Sequence, residues 1–115
     1  MKYENYLVLI NNGTYALARG YKFDNPEYGL AYCHFVDYED SNFPYMIIDI
    51  NSGLCVIKAT SKKKLIDRWY KMTHETDIYN KLIDAKKKEF YPKRVLELNA
   101  EKKVWRESGY LIEGR

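Results

Sequence analysis

A chain of 115 residues, 46% hydrophobic, 16% aromatic and 30% charged, has the core formers of one domain and too little length for a catalytic domain beside a separate cofactor domain. The same composition excludes intrinsic disorder, and 6 Gly with 3 Pro exclude a fibrous repeat. The formal net charge of +3 hides a polarity: residues 1–57 carry 3 basic against 7 acidic side chains, residues 58–106 carry 15 against 7.

Residues 1–60 read as a strand-rich half. Tyr6 to Ile10 and Thr14 to Ala18 are strands joined by Asn12-Gly13, a pair suited to a two-residue turn because both positions need positive φ. That turn predicts Ile10 opposite Tyr15 and Val8 opposite Leu17, with Leu7, Leu9, Ala16 and Ala18 on the other face. Both faces are apolar, so the hairpin is expected to be covered on both sides. Asp24 to Gly29 is a loop, Ala31 to Tyr38 a third strand, and Glu39 to Pro44 a second turn. Tyr45 to Ile50 and Leu54 to Ala59 form a further hairpin. A turn at Ser52-Gly53 pairs Ile50 with Cys55, Ile48 with Ile57 and Met46 with Ala59 on one apolar face.

After Ala59 the hydrophobic period changes to that of a helix. Thr60 or Ser61 can cap a first helix whose stripe is Leu65, Ile66, Trp69 and Tyr70. Thr76 or Asp77 can cap a second, with Ile78, Tyr79, Leu82, Ile83 and Phe90 apolar. Pro92 fits the first turn of a third helix carrying Val95, Leu96, Leu98 and Trp105. The expected class is α+β: an antiparallel sheet of about five strands in the N-terminal half, packed against two or three C-terminal helices of residues 61–108. The strand set Met46, Ile48, Ile50, Cys55 and Ile57 is expected to meet Leu65, Ile66, Trp69, Leu82 and Ile83. Residues 109–115 form a tail; its Ile112-Glu113-Gly114-Arg115 matches a protease-tag recognition sequence and is set aside.

Catalytic patterns are missing. The sequence has no phosphate-cradling glycine loop, no metalloprotease helix and no Gly-x-Ser-x-Gly elbow. Cys33, His34 and Asp37 could supply a nucleophile, a base and an orienting group, but strand alternation sends Cys33 and His34 to opposite faces. Cys33, Cys55, His34 and His74 do not form a metal-ligand spacing, and His74 suits a helix C-terminus, where a cation is favourable. No enzyme activity, metal or cofactor is expected. The start Met1-Lys2-Tyr3-Glu4-Asn5-Tyr6 lacks a leader pattern, and no apolar run of about 18 residues could cross a membrane. The expected location is the cytoplasm, with both cysteines reduced.

Two features point to binding. The basic half presents Lys62, Lys63, Lys64, Arg68 and Lys71 in the first helix and Lys86, Lys87 and Lys88 at the end of the second, a field that attracts nucleic acid or an acidic protein surface. Twelve tyrosines supply stiff, amphipathic contact area. Alternation places Tyr32, His34, Tyr38 and Tyr45 on the sheet face opposite Cys33, Phe35, Ile48 and Ile57.

The stretch Tyr45 to Asp67, a hairpin feeding the Thr60-Ser61-Lys62-Lys63-Lys64 opening of a helix, resembles cassettes of small phage and mobile-element proteins, among them the arm-binding domains of tyrosine integrases. Usage rich in Lys, Asn, Ile, Tyr and Phe, all with AT-rich codons, points to a low-GC genome. In size, composition and lack of catalytic motifs the whole chain resembles small phage anti-defence proteins, anti-CRISPRs included. That resemblance implies a non-enzymatic inhibitor acting in the host cytoplasm on a defence protein or ribonucleoprotein effector. The alternative expectation is a small DNA- or RNA-binding accessory protein using the basic helices. Homodimerisation is left open, and no membrane partner is expected.

Overall fold

The computed structural model describes residues 3–11, 14–23, 29–36 and 43–109. Strands β1 (Glu4–Asn11), β2 (Thr14–Lys22), β3 (Leu30–Phe35), β4 (Tyr45–Asp49) and β5 (Cys55–Ala59) pair antiparallel in chain order, each with the next. Helices α1 (Lys62–Glu75), α2 (Ile78–Lys86) and α3 (Phe90–Glu107) follow. The fold is the expected α+β arrangement of a five-stranded antiparallel sheet and three C-terminal helices. Local chemistry marks the helix starts. The Ser61 hydroxyl accepts from the Lys64 amide at 3.2 Å and the Asp77 carboxylate from the Asn80 amide at 3.3 Å, each satisfying an amide that the first turn leaves open. Pro92 sits in the first turn of α3, where a missing amide costs nothing.

The sheet rolls up on itself. Tyr6, Val8, Ala18, Ala31, Cys33, Met46 and Ile48 form one buried cluster, and every member stands on a strand. The strand order leaves one edge of β1 unpaired, yet the Leu9 amide donates to the Gly53 carbonyl, 2.9 Å away in the β4–β5 turn. Two glycines permit the rolling. A Cβ on Gly20 would lie 1.9 Å from the Tyr32 carbonyl oxygen, so only glycine lets β2 and β3 approach this closely. Gly53, at φ 74°, passes against the Leu7 carbonyl, where a Cβ would stand 2.9 Å away.

The helices cover the outside of the roll. On β1 and β2, Leu7 and Tyr15 pack with Leu98 of α3, flanked by Leu9, Leu17 and Trp105. On β3 to β5, Leu30, Ile47 and Ala59 pack with Leu65 of α1, flanked by Trp69 and Leu82. The first hairpin is thus covered on both faces, as its composition implied.

Both expected hairpin registers are displaced, the first by one residue and the second by one at Ile57 and Ala59 and by two at Cys55. Leu9 stands opposite Tyr15 and Leu7 opposite Leu17, because a bulge between Leu9 and Asn11 takes up Ile10. In the second hairpin Ile47 faces Ile57, Tyr45 faces Ala59 and Ile48 faces Cys55, with a bulge between Ile47 and Ile48. The turn there is longer than Ser52-Gly53 alone: the Asp49 amide donates to the Leu54 carbonyl and the Gly53 amide to the Asp49 carbonyl. Met46 and Ile48 therefore point into the roll, and Ile47 with Ile57 meets α1 instead. Of the strand set expected to meet the helices, Ile57 does lie with Leu65, Trp69 and Leu82, whereas Met46, Ile48 and Ile50 belong to the cluster inside the roll. Within the helices, Ile66 and Tyr70 are 53% and 62% exposed and Leu96 is 70% exposed, so the buried stripes are narrower than their periodicity suggested. The Asn12-Gly13 turn, Asp24 to Tyr28, and residues 37–42 of the β3–β4 connection, Tyr38 among them, lie outside the described residues.

Candidate partner-binding face

The helices cover one stretch of the outer sheet face only in part: Tyr3, Arg19 and Tyr21 are exposed, His34 is half-buried, and Tyr32 and Tyr45 are half-buried against the cluster that holds Leu65 of α1. Strand pairing sets Arg19 beside His34, His34 beside Tyr45, and Tyr21 beside Tyr32. Tyr3 lies over the β2 side of this patch. Its ring centroid is 5.1 Å from Tyr21 and 6.0 Å from His34, and His34 is 6.3 Å from Tyr45. The Tyr3 hydroxyl hydrogen-bonds His34 Nε2, and His34 Nδ1 contacts the Phe35 carbonyl, so the imidazole is held at both ends. Two cations lie over rings: the Arg19 guanidinium 5.6 Å from the Tyr3 centroid and Lys62 Nζ 5.7 Å from that of Tyr32. Arg19 Nε also donates to Asn5 Oδ1 at 2.8 Å, which fixes the guanidinium above the sheet.

Beside the patch, α1 stands away from the sheet and leaves a groove of about 420 Å³, with Phe23 and Trp69 packed edge to face at its floor. Burial raises the Tyr32 phenol above its ordinary value of 10.0. The two described carboxylates of the sheet are engaged elsewhere. Glu4 accepts from the Tyr6 hydroxyl and faces Lys22, and Asp49 is buried. The open face therefore combines aromatic rings with positive charge.

Tyr32, His34 and Tyr45 are brought together as alternation implied; Tyr38 is outside the described residues. Ile57, placed by sequence on the opposite face, shares theirs because of the register shift. Tyr3, Arg19 and Tyr21 were not foreseen. Continuing the alternation of β2 from Leu17 would have found Arg19 and Tyr21, but the strand was expected to end at Ala18.

Lys62, Lys63 and Lys64 occupy the first turn of α1, all exposed, with no acidic residue in that turn. A cation there opposes the helix dipole and costs about 0.3–1 kcal/mol. Arg68 and Lys71 continue the exposed basic surface, and Arg68 Nη1 donates to the Lys58 carbonyl. The second lysine group is different. Lys86 closes α2 with Nζ 3.6 Å from Asp49 Oδ1, so its charge is taken up internally, while Lys87 and Lys88 lie exposed past the helix end.

Asp49 belongs to a second cluster that the sequence reading did not single out. Its Oδ2 accepts from the Ser52 amide at 3.1 Å, the Ser52 hydroxyl at 2.5 Å and the Tyr91 hydroxyl at 2.8 Å. Ser52 is fully buried, and burial together with the Asp49 hydrogen bond pushes the Tyr91 phenol far above its ordinary value. These contacts tie the β4–β5 turn to α3. The remaining predicted groups sit apart: Cys33 is inside the roll, its thiol pushed up by burial, while Cys55 is on β5 and His74 in the last turn of α1 against the Tyr70 carbonyl. Among the described residues no group of three or more His, Cys, Asp or Glu could hold a metal ion, and no helix is long and apolar enough to cross a membrane.

Comparison with protein families, with curated proteins and with solved structures finds no match.

Proposed function

We propose that this chain is a stoichiometric inhibitor of the small phage-protein kind, acting without turnover by docking on a host defence protein or ribonucleoprotein effector. The observation that supports it best is the open face of Tyr3, Tyr21, Tyr32, His34 and Tyr45 with Arg19 and Lys62 set among the rings. Aromatic residues and arginine are the side chains that dominate interface energetics, and flanking charge speeds association with an acidic partner. The first turn of α1 adds weight, because three lysines there are unfavourable for the helix itself and are useful to a docking surface.

Affinity capture from a low-GC bacterial lysate, with and without nuclease, tests the reading. The expected result is one effector retained by the chain and lost when Tyr3 and Tyr21, both exposed, are changed to Ala, with the nuclease arm separating contact through protein from contact through nucleic acid. No partner from any plausible host overturns it. So does a hydrolysis or group-transfer activity of the purified chain that disappears with His34→Ala.

A further inference from the structure

We propose that the open sheet face binds an unpaired stretch of nucleic acid, its bases stacking on the row of rings and its phosphates meeting Arg19 and Lys62. This rests on the docking reading above and names the part of the partner that the face touches. The rings of Tyr21, Tyr3, His34 and Tyr45 follow one another with centroid spacings of 5.1, 6.0 and 6.3 Å. Those spacings exceed the rise of about 3.4 Å per nucleotide along a duplex strand. The rings are tilted to one another by 40°, 31° and 56°, and Tyr3 and Tyr21 are the exposed ones, so a drawn-out strand can lay a base on each of these two. Duplex bases are stacked on each other and present no face to a ring, so a duplex can reach only the cations.

Charge complementarity points the same way. Arg19 and Lys62 lie 5.6 and 5.7 Å from ring centroids, within reach of a phosphate beside a stacked base, and the described carboxylates of the sheet are turned to other work. Aromatic platforms inside a basic groove are the recurrent solution for unpaired strands, because every base offers a π-face whatever its sequence. The groove beside α1, lined by Tyr32, Lys62 and Trp69, extends the surface past the row and can receive a further base.

The test is fluorescence anisotropy with a labelled twelve-nucleotide oligothymidylate, its RNA counterpart, and a duplex of equal length. Single strands are expected to bind more tightly than the duplex. Tyr3→Ala with Tyr21→Ala should weaken binding by about tenfold or more, since each lost ring removes one stacked base. Tyr3→Phe with Tyr21→Phe, which keeps both rings, should retain it, and circular dichroism checks that each pair of variants folds. Two neutralised phosphates give a log–log salt slope of roughly −1.4, lowered by Lys62→Ala and unchanged by Lys87→Ala with Lys88→Ala. Duplex binding equal to or tighter than single-strand binding overturns the proposal, as does indifference to the Tyr→Ala pair. No binding of any oligonucleotide at low salt also overturns it; an effector still captured after nuclease treatment through Tyr3 and Tyr21 would then show that the docking reading stands without it.

Discussion

Asp49 shows how much one side chain can organise. It is a carboxylate 5% exposed at the end of β4, and three hydrogen bonds from Ser52 and Tyr91 plus the nearby Lys86 ammonium make that burial tolerable. Hydrogen bonds to a charged group are the strong kind, so Tyr91→Phe should lower stability in urea melts by about 2 kcal/mol. The same residue sets a pH limit. The Tyr91 phenol is raised from its ordinary 10.0, by burial first and by the Asp49 bond second, and the Tyr6 phenol is raised similarly by burial and Glu4. A group that holds its proton more tightly folded than unfolded contributes fully below its unfolded value and loses that contribution as pH rises past it. Stability from these two phenols should therefore be level through neutral pH and fall above pH 10.0. Tyr91→Phe should both lower the neutral plateau and flatten the alkaline decline; an unchanged alkaline slope would remove Tyr91 as its source.

At the scale of elements, the decisive fact is which residues of β4 face α1. Ile47 and Ile48 are both almost fully buried, so truncating either to Ala should cost about 2–5 kcal/mol, and single variants cannot tell the registers apart. A double-mutant cycle can. Ile47→Ala with Leu65→Ala should show a coupling of 0.5 kcal/mol or more, to order of magnitude, because the two share one cluster; Ile48→Ala with Leu65→Ala should add within about 0.3–0.5 kcal/mol. The reverse pattern would restore the register expected from sequence. The strands and helices were legible because their hydrophobic periods differ and Ser61 and Asp77 announce the helix starts. Register was not legible because β1 is apolar on both faces, and because bulges, at Ile10 in β1 and between Ile47 and Ile48 in β4, leave no mark in an alternating pattern. Of the candidate face, Tyr32, His34 and Tyr45 could be read from alternation in β3 and β4. Arg19 and Tyr21 were lost with the end of β2, and Tyr3 reaches the patch only through the pairing of β1 with β2. The Asp49 cluster had no sequence signal, since Tyr91 meets it only once α3 has folded back across the β4–β5 turn.

Across the whole molecule, charge placement sets stability against association. The basic first turn of α1 continues from the ring face, and the helix pays for it. Lys64 is the third residue after the Ser61 cap, the position at which Glu completes a capping box. Lys64→Glu should therefore raise stability by about 0.5–1 kcal/mol through the cap and the dipole. It should also slow association with an acidic partner and leave the ring contacts intact. Thermal melts beside association rates measure both; a variant that loses stability would mean that Lys64 supports the fold in a way its exposure does not reveal.

The bond from the Leu9 amide to the Gly53 carbonyl gives the molecule a folding order. Each strand pairs with its neighbour in sequence, so the meander can zip up from one short hairpin to the next with little loop entropy to overcome. The seam is the exception. It joins the first strand to a turn that does not exist until β4 and β5 have paired, and the same turn is braced by Tyr91 of a helix made later still. The roll can shut once β5 has paired with β4, and the brace from Tyr91 follows when α3 forms. A nascent chain halted before β5 therefore carries an unsealed β1 edge, a surface open to pairing with other chains, and α3 later adds the Tyr91 brace on the turn that closes it.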